Sequence, residues 1–141
     1  RFPDVDLHLT GASGIEDPGA GYVHERPFEV DTTTLDAYCA EHLPGRVDVL
    51  KIDAEASEHL VLRGSAGILR RDRPVIFCEA LPGRVEREME AIFREFEYAL
   101  FNAGPAGVRP VERLEGENLE SHDFIVVPRE RAPDFASQYV R

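Results

Sequence analysis

The sequence predicts an α/β fold: one sheet of mostly parallel strands crossed by helices, closed by an antiparallel last strand pair. Three observations predict it. Short apolar runs rich in β-branched and aromatic residues, at 47–53 and 74–80, alternate with stretches whose apolar residues recur every three or four positions. The 141 residues, 43% of them hydrophobic, suit a single domain, since a chain of this size buries roughly two thirds of its unfolded surface. The last two strand-like runs are joined by a loop with no strong helix, which makes them antiparallel neighbours.

Taken in order, residues 1–30 hold an alternating run, "DVDLHL", a Gly-rich loop, "TGASGIEDPGAGY", and the start of a second extended run, "PFEVDT". This part is expected to be an extended insertion and loop. "TTTLDAYCAEHLPG" carries a helix start, with Thr33 and Asp36 at capping spacing and Leu35, Cys39 and Leu43 on one stripe. Pro44-Gly45 ends that helix. Residues 47–53 read as a buried strand. Leu62, Ala66 and Leu69 then follow at helical spacing, with Gly64 and Gly67 weakening or splitting the helix.

"PVIFCEA" is the next strand. "RVEREMEAIFREFE" is the clearest helix, with Val85, Met89, Ile92, Phe93 and Phe96 on one face. "YALFNAG" and "HDFIVV" complete the sheet. Residues 1–128 are thus expected to form one α/β domain with its core at 31–128. The proline-punctuated segment 129–141 reads as a loosely ordered tail.

A formal net charge of -11 argues against nucleic acid or an anionic membrane as partner, because phosphate binders present a basic stripe. No apolar run approaches the ~20 residues of a membrane span, and the start has no signal-peptide pattern. Cys39 and Cys78 lie far apart in apolar contexts and read as reduced, which implies a cytoplasmic setting. The first residue, Arg1 rather than Met, suggests an excised piece.

Chemistry is expected at the carboxyl ends of the strands, where open α/β sheets bind ligands. Asp53 closes one buried strand and Glu79 closes the next. If these strands are neighbours, the carboxylates share a crevice and oppose each other's ionisation, which makes one of them a proton acceptor near neutral pH. Lys51, the single lysine, lies two residues before Asp53 and so on the same face. Glu55 lies on the turn and can point back into the crevice. Glu58 suits a helix-start charge. His122-Asp123, before the last strand, is either a turn or the source of a base reaching over the crevice. Asp53, Glu55 and Glu79 are hard oxygen donors of the kind magnesium takes, although no metal-site spacing is present.

The segments "VDTTTLDAY", "VDVLKIDAEASEHLVLRGSAGIL" and "RPVIFCEAL" resemble the second half of an FkbM-type methyltransferase, over about residues 28–127. The matching positions are Thr34-Leu35-Asp36, Lys51, Asp53, Glu55, Glu58, Val61-Leu62, Gly64 and Glu79. The resemblance implies a Rossmann-like sheet and S-adenosylmethionine-dependent O-methylation of a hydroxyl on a sugar or natural product. It makes Asp53, Glu79 and Glu55 catalytic candidates and Lys51, Glu58 and His122 substrate-binding ones.

Two departures stand out. Ala56 occupies a position where the family usually has glycine. The family's Gly-rich donor loop and ribose-binding acid have no counterpart in this sequence. The chain therefore resembles the C-terminal half of the domain, a fragment expected to bind the donor weakly, to be inactive alone and to self-associate through an exposed sheet edge. The other reading is a non-catalytic acidic α/β binding module, or a degenerate methyltransferase remnant.

Overall fold

The computed structural model describes residues 31–43, 45–116 and 119–140. The runs "DVDLHL" and "TGASGIEDPGAGY" and most of "PFEVDT" lie outside the described residues. The first helix, α1 (Leu35–His42), starts one residue later than the capping pattern predicts. Thr34, not Thr33, adopts the extended cap conformation, and its hydroxyl accepts the Ala37 N–H at 3.1 Å.

Asp36 is thereby free for a different helix. Its carboxylate accepts the Gly67 and Ile68 N–H groups, at 2.7 and 2.9 Å, in the first turn of α3 (Ala66–Arg71). Its own N–H donates to the Gly64 carbonyl at 2.9 Å. The helical stretch does split, at Gly64-Ser65, into α2 (Glu58–Arg63) and α3, with Gly67 inside the first turn of α3. Close approach explains both: an added Cβ at Gly67 would stand 3.0 Å from the Asp36 carboxylate, and one at Gly64 would stand 3.2 Å from the Thr34 Cβ.

β1 (Val49–Ile52) and β2 (Val75–Glu79) pair in parallel, Val49 opposite Val75 and Ile52 opposite Cys78. β3 (Tyr98–Gly104) and β4 (Gly107–Val111) form a hairpin, and β5 (Asp123–Pro128) completes a sheet of order β1-β2-β5-β3-β4. β5 and β3 are antiparallel neighbours, as the sequence predicts. The expectation of a mostly parallel sheet is corrected: β5 also runs antiparallel to β2, so only one of the four pairings is parallel. The crossover through α4 (Glu86–Glu95) carries β3 one strand beyond β2, and β5 fills the gap from the opposite direction. β4 is not foreseen in the sequence because Pro110 and Gly107 break its pattern; an edge strand tolerates both.

One face of the sheet carries the main core. Leu50, Ile52, Ile76, Cys78, Phe124 and Val126 meet Leu62, Ile68 and Leu69 from α2 and α3 and Met89, Ile92 and Phe93 from α4. All five apolar residues assigned to the clearest helix are buried. On the other face, Phe101, Ile125 and Val127 are covered by Phe135 and Ala136 of α5 (Ala132–Tyr139), with the Phe101 and Phe135 ring centroids 4.9 Å apart.

That helix corrects the expected loose tail. Its proline lies in the first turn, where a missing N–H costs nothing. The buried-strand expectation for β1 holds only on the helix side, since Val49 and Lys51 are exposed. The stripe on α1 also fades, as Leu43 is exposed.

Two carboxylates fasten the opposite end of the sheet. Asp72, buried, accepts the Val47 N–H at 3.0 Å and two bonds from Arg71 at 2.7 Å each. Glu130, in the turn before α5, is held by both arms of Arg73 at 2.9 and 2.6 Å. Arg73 also donates to the Phe96 and Glu97 carbonyls and lies over the Tyr98 ring. The bonds from Arg71 and Val47 hold the Asp72 carboxyl at about 2, and the bond from Arg73 does the same for Glu130.

Depressed folded-state values stabilise the fold above the ordinary carboxylate range, and that stability is lost as pH falls through about 2. The urea midpoint should therefore decline steeply as pH drops below about 4. The Asp72→Asn, Glu130→Gln double variant should show a shallower decline; an equal slope in the two proteins would contradict this account.

Candidate functional site

β1 runs out at Ile52, and the next five residues decide the shape of the site. The Ser57 N–H closes a turn on the Ala54 carbonyl at 3.0 Å, with Glu55 (φ 48°) and Ala56 (φ 70°) at its centre. Positive φ at both central positions is the signature of a primed turn, a conformation dominated by Gly, Asn and Asp. Neither residue here is of that type, so the turn is held from outside. The holding group is Glu58, 2% exposed, whose Oε1 accepts the Ala54 N–H at 2.8 Å.

Around this turn the acids gather. Lys51 Nζ donates to Asp53 Oδ2 at 2.7 Å, as their shared face predicts. Both are solvent-exposed, so the pair fixes geometry more than it adds stability. Ile52 lies opposite Cys78 in the parallel ladder, which sets Asp53 one step on beside Glu79. Across the antiparallel ladder Glu79 lies opposite Asp123.

Glu79 is half-buried. Burial raises its pKa above the ordinary glutamate value, and the charges of Asp53, Glu55, Asp123 and Glu58 raise it further. Lys51 is also shifted upward, first by its bond to Asp53 and then, against the cost of burial, by the charges of Asp53, Glu79 and Asp123.

Of the residues expected at the site, Lys51, Asp53, Glu55 and Glu79 come together. Glu58 is in the same segment but packs inward and braces the turn. His122 is exposed beside the cluster, where its carbonyl accepts the Ala80 N–H at 2.9 Å. Asp123 is singled out with His122 in the sequence, but its place beside Glu79 is not foreseen, because it depends on β5 lying next to β2. Among the described residues no group of three His, Cys, Asp or Glu side chains is arranged to hold a metal ion. A cavity of about 340 Å³ between α4, β3 and β4, lined by Phe93, Tyr98, Leu100 and Val111, contains none of these acids.

Two substitutions test the turn. Ala56→Gly should stabilise the protein by about 1 kcal/mol, the cost a Cβ meets in left-handed backbone. Glu58→Ala should destabilise it by roughly 1–3 kcal/mol through the unpaired Ala54 N–H, whereas Glu58→Gln keeps an acceptor and most of the stability. Urea midpoints measure both. A neutral Ala56→Gly together with a harmless Glu58→Ala would rule out a strained turn braced by Glu58.

Among the described residues no helix is long and apolar enough to cross a membrane. No curated protein and no solved structure matches the chain significantly. The model of the methyltransferase FkbM domain matches residues 3–103. That span takes in α1, β1, the acid turn, β2 and most of β3, and exceeds half of the chain. With the linked positions Thr34, Asp36, Lys51, Asp53, Glu55, Glu58, Gly64 and Glu79 all inside the matched span, the chain belongs to the FkbM methyltransferase domain family.

Proposed function

We propose that this chain forms the acceptor side of an S-adenosylmethionine-dependent O-methyltransferase acting on a hydroxyl of a sugar or natural product. The observation that carries the reading is the half-buried Glu79, its proton affinity raised, among acids at the carboxyl ends of β1 and β2. Acids at the ends of a parallel strand pair suit the ligand crevice of a Rossmann-like sheet.

Bound S-adenosylmethionine would supply a methyl group activated by a cationic sulfonium. Asp53, Glu55, Glu79 and Asp123, with Lys51 as nearby counter-charge, fit the neighbourhood of such a cation. The nucleoside end finds less: among the described residues no Gly-rich turn joins a strand to a helix.

In this reading Glu79 accepts the proton of the acceptor hydroxyl as the oxygen takes the methyl group. Its raised pKa suits it to general-base work closer to neutral pH than an ordinary glutamate. Asp53, held by Lys51, orients the acceptor, and Glu55 adds negative potential from the turn. His122 borders the acceptor side. The free, buried Cys39 and Cys78, the Cys78 thiol pushed up to about 12 by burial, fit a cytoplasmic setting. The outer edge of β1, unpaired among the described residues, is a candidate surface for self-association.

Glu79→Gln should lower the turnover of methyl transfer to a hydroxyl acceptor by roughly 10²–10⁴-fold, the usual worth of a general base. Donor affinity, measured by calorimetry, should change little. Transfer from labelled S-adenosylmethionine to a panel of sugar hydroxyls provides the assay. Undiminished turnover in Glu79→Gln would remove Glu79 from the mechanism.

A further inference from the structure

Asn102, in the middle of β3, is fully buried, and its side chain makes no use of the sheet ladder. Its Nδ2 donates to the Ser121 carbonyl at 3.0 Å and to the Asp123 carbonyl at 3.1 Å. Its Oδ1 accepts the Glu120 N–H at 3.2 Å. One amide thus binds the backbone of the segment leading into β5 from both sides, as a further rung of the ladder would.

Ser121 reinforces the hold: its hydroxyl donates to the Ala103 carbonyl at 2.6 Å and accepts the Asp123 N–H at 3.1 Å. The held segment then docks on β2, through the bond from Ala80 N–H to the His122 carbonyl and the register of Asp123 opposite Glu79. The segment 120–123 lies beyond the span matched by the family model.

We propose that Asn102 is a positioning residue for the acid site: it fixes the segment 120–123 so that the Asp123 carboxylate is held against Glu79. A donor and acceptor spaced for a peptide backbone are required, and an apolar side chain of similar size would take these partners away from the Ser121 and Asp123 carbonyls and the Glu120 N–H. The catalytic meaning of this placement rests on Glu79 being the proton acceptor; the placement itself does not.

The charged groups that act on Glu79 are Asp53, Glu55 and Glu58 from the β1 side and Asp123 from β5, with Lys51 facing the same cluster. Removing the hold on Asp123 should therefore let Glu79 release its proton more readily.

The test is titration of the glutamate side-chain carboxyl carbons by NMR in the intact chain. Asp123→Asn should move the Glu79 titration downward. Asn102→Leu should move it the same way, and the double variant should go no further than Asp123→Asn alone, because both act through one charge. If Asn102→Leu does not fold, Ser121→Ala, which loosens the same segment, should give the downward shift.

A Glu79 titration that stays at the wild-type position in Asn102→Leu, or in Ser121→Ala where that replaces it, while Asp123→Asn moves it, would overturn the proposal. So would an unmoved titration in Asp123→Asn itself. The outcome is separable from the methyl-transfer reading: active Glu79→Gln enzyme with the NMR coupling intact would remove the general base and leave Asn102 in its positioning role.

Discussion

The bond from the Ala54 N–H to the buried Glu58 carboxylate is the constraint from which the site is built. A carboxylate taken out of water at this depth is costly unless its oxygens are satisfied, and the strand-to-helix turn provides a backbone donor. In exchange Glu58 anchors the turn at the residue just before the two positions of positive φ, Glu55 and Ala56. Side chains of this type adopt such backbone only where the surroundings over-determine it. The result is a short braced loop that ends β1, starts α2 without a side-chain cap on Ser57, and places Asp53 and Glu55 at the carboxyl end of β1.

That constraint depends on where α2 and α3 lie, and a second carboxylate governs this. Asp36 grips the first turn of α3 with its side chain and the end of α2 with its backbone N–H. The acid stands at a helix N-terminus, where the dipole favours a negative charge. Gly64 and Gly67 lower local helix propensity, yet a methyl at either would crowd Thr34 or Asp36. The linked spacing of Thr34, Asp36, Gly64 and Glu58 is therefore one mechanical unit. A cap, a grip and two close approaches seat the helices that carry Glu58 into the core.

Sequence reading succeeds here where one local pattern settles the matter. α4 is legible because its apolar face is continuous, and the break between α2 and α3 is legible in its glycines. Asp53 and Glu79 are legible as strand-ending acids, and Lys51 shares a face with Asp53 by simple alternation. What escapes depends on contacts distant in sequence. Asp36 looks like a cap for its own helix because its partners, Gly67 and Ile68, lie some thirty residues on. Glu58 looks like a surface charge until the turn folds back on it. β5 reads correctly as a strand, but its place between β2 and β3, and with it the role of Asp123, follows from strand order alone. The tail looks polar and loose because only Phe135, Ala136 and Val140 make its apolar contact.

The two strand-ending acids occupy unlike environments. Asp53 is exposed and has Lys51 at hydrogen-bond distance, so a positive charge answers its own. Glu79 is half-buried, follows Phe77 on the same face of β2, and is flanked by carboxylates on both neighbouring strands. Burial and these carboxylates raise the proton affinity of Glu79. The single lysine bonds Asp53 directly and reaches Glu79 only through its charge, whereas Asp53, Glu55, Asp123 and Glu58 all act on Glu79 with like charge. Strand order supplies part of that like charge: with β5 inserted, Glu79 faces Asp123 as well as Asp53, and the position with the fewest compensating charges is the one best suited to take a proton.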